Sequence, residues 1–117
     1  MSHRPERVAD LVRRELADIL RNEVRDPRVG LATVSSVDLS GDLHHAKVKV
    51  SVLGSDAERE ASLEAIQGAS GFIRRQLGRR LTLRTVPELV FQLDRGAEYS
   101  QRISDLLEEI DRERSSS

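Results

Sequence analysis

The sequence contains no cysteine and no tryptophan, and its only aromatic residues are two phenylalanines and one tyrosine. Without cysteine the chain has no disulfide, no thiolate metal site and no cysteine nucleophile, which fits a reducing compartment. Three aromatic side chains are too few for a surface built on base stacking. No apolar run approaches the roughly 18 residues of a membrane span, and the first residues lack the apolar segment of a secretion signal. We therefore expect a cytoplasmic protein without a membrane partner.

The length of 117 residues predicts one domain with one core. Hydrophobic residues make up 38% and charged residues 33% of the chain, which is polar, but the apolar residues are periodic and so indicate a folded protein. We expect the domain to span residues 1–110 and the polar residues 111–117 to form a disordered tail.

Acidic residues are missing from one long stretch, between Glu64 and Glu88. The window 68–84 within it contains five arginines, namely Arg74, Arg75, Arg79, Arg80 and Arg84. Because the whole chain has a formal net charge of -1, this window of about +5 leaves about -6 elsewhere. Such separation of charge favours a positive surface that binds a polyanion.

Hydrophobic periodicity predicts four helices and three strands. The helices are expected over 5–24, from a cap at Ser55 or Asp56 to about Gly68, over 72–80 and over 99–110; the strands are expected over 31–39, 45–53 and 89–93. Asp26-Pro27 ends the first helix, and Gly30 supplies a turn.

The element order predicts an α+β fold with one three-stranded sheet. The first two strands form an antiparallel pair, and the helix–helix crossover places the second and third strands side by side and parallel. All helices before the last strand then pack on one face of the sheet, which leaves the other face open. Lys47 and Lys49 lie on that open face.

Two glycines precede the arginines, in the segment Gly68-Ala69-Ser70-Gly71 between two predicted helices. KH domains use a GxxG loop in this position to clamp the nucleic-acid backbone, so Ser70, Gly71 and the following helix N-terminus are candidates for phosphate contact. The alternative is a packing kink, in which glycine lets two helices pass closely. Both interpretations remain open at this point.

The arginine run also has two interpretations, a solvated helix face or a phosphate-binding surface. The absence of acids beside it favours phosphate binding. The first helix carries arginines and acids mixed together, which indicates a solvated face. We therefore predict an RNA-binding set made of Ser70, Gly71, Arg74, Arg75, Arg79, Arg80, Arg84, Lys47 and Lys49.

Metal binding and catalysis have little support. His44 and His45 are adjacent in a predicted strand, so their side chains point to opposite faces and do not chelate one ion. Glu108-Glu109 lies on an exposed helix without a histidine or a glycine-rich cradle nearby, and no nucleophile triad, P-loop or dinucleotide motif occurs. We expect no enzyme activity, no cofactor and no metal.

Four long blocks resemble the bacterial ribosome-binding factor A family: RRELADILRNEVRDPRVG, HAKVKVSVLG, GFIRRQLGRRLTLRTVPEL and EYSQRISDLL. The resemblance covers about residues 7–110. It implies a type II KH-like fold of order α-β-β-α-kink-α-β plus a C-terminal helix, in which an Ala-x-Gly kink replaces the GxxG loop. Ala69-Ser70-Gly71 matches this kink, although Gly68 also restores a GxxG.

The resemblance further implies a monomeric cytoplasmic assembly factor that binds the immature small ribosomal subunit and its rRNA. It would assist late maturation, including processing of the rRNA 5′ end and growth in the cold, and an assembly GTPase would release it. Three alternatives remain: a general single-stranded RNA-binding KH protein, a protein-interaction module that uses an exposed helix and, last, a hydrolase.

Overall fold

The computed structural model describes residues 4–29, 32–82 and 85–115 of the chain. In chain order its elements are α1 (Arg4–Asn22), β1 (Thr33–Leu39), β2 (His45–Ser51), α2 (Asp56–Gly68), α3 (Ser70–Arg80), β3 (Glu88–Leu93) and α4 (Arg95–Ser115). The predicted element types and their order are therefore confirmed. The turn predicted at Gly30 lies outside the described residues.

The three strands form one sheet in the order β1-β2-β3. β1 pairs antiparallel with β2, with a register shift between Val34 and Ser36, and β2 pairs parallel with β3 from His45↔Glu88 to Val50↔Leu93. The parallel pair predicted from the crossover is thus confirmed, and β2 is the central strand.

One face of the sheet is buried under helices and the other is exposed. Side chains alternate along β2, where Ala46, Val48 and Val50 are fully buried while the residues between them are exposed. α1 contributes Leu16 and α3 contributes Ile73 to the same core. Burying an aliphatic side chain of this size stabilises the fold by about 1.5–3 kcal/mol, so this shared core fixes the positions of α1 and α3.

Helix α2 begins with a complete capping box. The hydroxyl of Ser55 accepts a hydrogen bond from the Glu58 N–H (3.2 Å), and the Glu58 carboxylate accepts one from the Ser55 N–H (3.1 Å). This arrangement satisfies two backbone donors that a helix N-terminus otherwise leaves without partners. Of the two predicted caps, Ser55 is the one used.

Three predicted helices have different bounds in the structure, since α1 ends at Asn22 rather than at residue 24. α3 begins at Ser70, two residues before the predicted start at Phe72, because only Ala69 interrupts the helical path. α4 runs from Arg95 to Ser115 rather than from Tyr99 to Ile110, so residues 111–115 are helical where a disordered tail was expected. Residues 116–117 lie outside the described part of the chain.

Helix α4 extends away from the sheet and makes no extensive packing contact with the other described elements. An ion pair between Arg95 and Glu60 (3.6 Å) lies at its first residue. Its apolar stripe is 42–58% exposed, at Ile103, Leu106, Leu107 and Ile110. No helix in the described ranges is both long and apolar enough to span a membrane.

Candidate nucleic-acid interface

The junction between α2 and α3 is a kink of one residue, not an open loop. Ala69 has φ -91° and ψ 4°, and its N–H donates to the carbonyls of Ala65 and Ile66 (both 3.1 Å). Its own carbonyl accepts from the Ile73 N–H (2.9 Å), so the hydrogen-bond path passes directly from one helix into the next. The junction is therefore a one-residue kink, with no open loop between the two helices.

The two glycines of the kink are not required by close packing. A Cβ on Gly68 would meet no atom within 4 Å, and one on Gly71 would meet only the Arg75 guanidinium at 3.8 Å. The alternative in which glycine lets two helices pass closely is therefore not supported. What the glycines provide is a bare backbone surface beside the arginines of α3.

The side chain of Arg74 donates hydrogen bonds to backbone carbonyls of this protein. Its guanidinium donates from Nη2 to the Val86 carbonyl (2.7 Å) and from Nε to the Pro87 carbonyl (3.2 Å). Both carbonyls precede β3, and a backbone carbonyl near the protein interior needs a donor. Arg74 therefore fastens the segment that leads into β3 to the side of α3.

Arg80 is held by three carboxylates near or on α1. Its guanidinium donates to Glu15 (3.1 Å), Glu23 (3.2 Å) and Asp18. The hydrogen bond from Arg80 is the largest of the effects that lower the pKa of Asp18 below its ordinary value of 3.8. Arg80 bridges α3 to α1, and both of its terminal nitrogens donate to carboxylates of this chain. The prediction that Arg80 binds RNA is therefore not supported by its geometry.

Arg75 and Arg79 are the two arginines of α3 that remain available. Both are exposed, and neither forms a hydrogen bond or ion pair with any residue in the described ranges. They lie four residues apart, so their side chains are neighbours on one helix face. Two adjacent guanidiniums without an acid beside them offer donors of the kind that phosphate oxygens accept.

A groove of about 570 Å³ lies along this face of α3. It is lined by Gly71, Arg74, Arg75, Gly78, Arg79 and Val86. Gly71 and Gly78 are two helical turns apart, so both present bare backbone to the same groove. Gly78 has no space for a side chain, because a Cβ there would lie 2.9 Å from Val86 Cγ2.

Gly78 is the residue of this groove that the sequence analysis did not identify. The signal was present, because Gly78 follows Gly71 by seven residues and lies between Arg75 and Arg79. Glycine inside a helix costs about 1 kcal/mol relative to alanine, so it indicates a packing or functional reason.

The remaining predicted site residues are not brought to the groove. Lys47 and Lys49 project from the open face of the sheet, opposite to the face that carries α3. There Lys47 lies across from Asp38, and Lys49 from Ser36. Arg84 lies outside the described residues. The candidate interface therefore consists of Ser70 and Gly71 at the kink, Gly78, and the pair Arg75 and Arg79.

No group of three or more histidine, aspartate and glutamate residues within the described ranges could hold a metal ion. His45 instead lies beside Glu88 on the next strand, with Nδ1 3.6 Å from the carboxylate. His45 lies on the open face of the sheet, on the same side of β2 as Lys47 and Lys49, and so away from the groove.

The fold and this groove together define a class, that of small α+β proteins with a KH-like strand–helix–helix–strand unit and a cationic face on its second helix. The profile of the family described as "Ribosome-binding factor A" matches residues 4–107. The chain belongs to the ribosome-binding factor A family.

Known relatives agree with this assignment. The chain is 46% identical over 110 residues to the ribosome-binding factor A of Desulforamulus reducens, covering 94% of this chain and 92% of the relative. The crystal structure of ribosome-binding factor A from Thermus thermophilus is similar with a TM-score of 0.71 at 29% identity, covering 79% of this chain and 97% of that one. A Thermus thermophilus ribosome-binding factor A fitted into a cryo-EM map of a 30S complex is similar with a TM-score of 0.63 at 31% identity, covering 74% of this chain and 90% of that one.

Proposed function

We propose that this chain is an assembly factor of the small ribosomal subunit and that it contacts rRNA through the groove on α3. The observation that carries the proposal is the pair Arg75 and Arg79, exposed and without partners in the described part of the chain, beside a glycine-floored groove. A phosphate needs cationic donors and close approach to backbone, and this groove offers both. A related protein that has been fitted into a 30S complex supports the choice of the small subunit.

In this mechanism the RNA backbone lies along the groove, with Arg75 and Arg79 contacting phosphates and the backbone at Gly71 and Gly78 permitting close approach. Arg74 lines the groove while its donors hold the β3 segment, so it shapes the site. Such contacts read the position and shape of RNA rather than its sequence. The factor then stabilises one conformation of the immature subunit because it binds that conformation more tightly than the alternatives.

The finer parts of the proposal are those that the resemblance to the family implies. We propose a cytoplasmic, monomeric, non-enzymatic factor that acts late in assembly, supports 5′-end processing of the small-subunit rRNA and growth in the cold, and leaves with the help of an assembly GTPase. Mapping rRNA 5′ ends in cells that carry either the wild type or the groove variant tests the processing step. Unprocessed 5′ ends should accumulate with the variant, and normal ends would contradict it.

The primary test is co-sedimentation with immature and mature small subunits across a salt series. The variant Arg75→Gln/Arg79→Gln should bind about tenfold more weakly, and its log-log salt slope should be smaller by about 0.7–0.9 for each phosphate that the variant no longer neutralises. The control is Arg102→Gln/Arg112→Gln, which removes the same charge from α4. Equal binding by the groove variant and the wild type would show that α3 is a solvated face.

A general RNA-binding KH protein would behave differently in this assay. It would bind short single-stranded oligonucleotides as tightly as the subunit. Tight binding to the subunit with weak binding to free oligonucleotides supports the assembly factor instead.

A further inference from the structure

Helix α1 has a different charge distribution in the folded protein from the one its sequence indicates. Its arginines and acids alternate in the sequence, which predicts a solvated face of mixed sign. In the structure the three carboxylates of Glu15, Asp18 and Glu23 all turn to one side, where Arg80 binds them. These three side chains stay 34–47% exposed, but Arg80 lies among them and offsets part of their negative charge.

The arginines that remain outside form a regular row. Arg7, Arg14 and Arg21 follow one another at intervals of seven residues, so they lie on one side of α1 about 10.5 Å apart. All three are exposed, and none forms a hydrogen bond or salt bridge within the described ranges. We call these three residues the α1 row.

Charges of both signs lie near this row. Arg13 is also exposed on α1 and Arg25 is exposed just after its end, whereas Glu6 is an exposed acid near the N-terminal end and Asp10 lies between Arg7 and Arg14. The charge of Arg21 contributes to the lowered pKa of Asp18, although Arg80 has the larger effect. The strongest positive potential is thus expected around Arg14 and Arg21.

The α1 row and the α3 groove belong to the same outer surface. α1 and α3 pack side by side, and Arg80 joins them. Leu16 on α1 and Ile73 on α3 point into the shared core and are fully buried. The row on α1 and the pair Arg75 and Arg79 therefore both lie on the side of the helix layer that faces away from the core.

We infer that the α1 row is a second RNA-backbone contact surface, which binds a phosphate strand of the same subunit whose rRNA occupies the α3 groove. This inference rests on the proposed function and extends its site. Repeated guanidiniums over about 21 Å match a ligand whose charge also repeats, and single-stranded or duplex RNA is such a ligand. An acidic protein partner fits less well, because protein interfaces have an apolar centre and, among the described residues of α1, Leu11 is the one large apolar side chain that is exposed.

The surface explains why Arg80 is placed where it is. If Glu15, Asp18 and Glu23 were free, their negative potential would oppose binding of a polyanion beside the α1 row. By binding all three, Arg80 offsets one of their three negative charges and so weakens this opposition without touching RNA. The role of Arg80 in RNA binding is thus indirect, because it acts on the acids beside the α1 row and not on the RNA.

The test compares four proteins by co-sedimentation with immature small subunits across a salt series. They are the wild type, the α1 pair Arg14→Gln/Arg21→Gln, the α3 pair Arg75→Gln/Arg79→Gln, and the charge-matched control Arg102→Gln/Arg112→Gln. The α1 pair should bind about tenfold more weakly than the wild type, with a salt slope smaller by about 0.7–0.9 for each phosphate left without its arginine. Arg14→Lys/Arg21→Lys should restore most of the affinity, because lysine keeps the positive charge that neutralises a phosphate and releases its counterions.

The outcomes separate this inference from the proposed function. If the α1 pair matches the wild type in affinity and slope while the α3 pair is weaker, the α1 inference is wrong and the function stands. If the α1 pair binds the subunit more weakly than the wild type and the α3 pair does not, the α1 inference is supported and the proposal that RNA binds in the α3 groove is wrong. If the wild type does not bind the subunit, both are wrong. Circular dichroism and Tm exclude misfolding, since glutamine and arginine have similar helix propensities and both positions are exposed.

Discussion

The two sides of α3 use the same residue type for opposite purposes. Arg74 and Arg80 bind carbonyls and carboxylates of this chain, whereas Arg75 and Arg79 have no partner in the part of the chain that the structure describes. The buried side chains of Ile73 and Leu77 decide which arginines do which, because they fix the side of α3 that faces the core. The orientation of a helix relative to the core thus decides which arginines of a run bind the protein itself and which are left to bind a ligand.

The largest effect should come from the buried side of this comparison. Ile73→Ala removes a fully buried side chain and should lower the free energy of unfolding by about 2–5 kcal/mol. Urea denaturation measures this, with Arg75→Gln as the control on the exposed side, where the change should stay within about 0.5 kcal/mol. A similar loss of unfolding free energy in both variants would mean that α3 does not have one side that stabilises the fold and another that is free to bind.

A smaller effect is expected at the groove floor. Gly78→Ala places a Cβ 2.9 Å from Val86 Cγ2, a stiff β-branched side chain, and should destabilise the protein by about 1–2 kcal/mol despite the better helix propensity of alanine. The matched control is Gly68→Ala, where the Cβ meets open space and stability should rise or stay unchanged. Subunit binding should weaken for Gly78→Ala only. A stabilised Gly78→Ala would show that Val86 moves without cost.

The smallest stability effect is expected for Arg80→Gln, because its carboxylate partners remain hydrated. We expect Tm to fall by a few degrees near neutral pH. Arg79→Gln, with the same charge change on the same helix, should leave Tm unchanged.

A pH series adds a second measurement, since a carboxylate with a lowered folded pKa stabilises the protein above its unfolded pKa and stops doing so as the pH falls through the folded value. The difference in Tm between wild type and Arg80→Gln should therefore shrink as the pH falls below 3.8, the ordinary value for Asp18. A difference that persists in acid would exclude the Asp18 pair as its cause.

Much of the fold could be predicted from the sequence because it depends on local periodicity. The alternation in β2 and the cap at Ser55 are visible in a few consecutive residues, and the parallel pairing of β2 with β3 follows from element order. The start of α3 was missed because the hydrogen bonds around Ala69 carry the path through the kink, which residue propensities do not reveal.

The site was harder to predict because it depends on partners distant in the chain. Arg80 contacts acids 57 to 65 residues away, so its role could not be read from the acid-free window around it. The same contacts offset part of the negative charge on α1, which the sequence alone shows only as a face of mixed sign. Lys47 and Lys49 were rightly placed on the open face of the sheet, but that face lies away from the groove.

The parallel pairing of β2 with β3 also sets the order in which the chain can fold. β1 and β2 are joined by a short turn and can meet within a local hairpin, whereas His45 and Glu88 pair only after the intervening chain has closed a long loop. Closing such a loop costs entropy before the strands begin to pair, so folding topologies of this type are slower than local ones. Formation of α2 and α3 shortens the distance that the loop must span. The hairpin and the two crossover helices should therefore form before β3 docks.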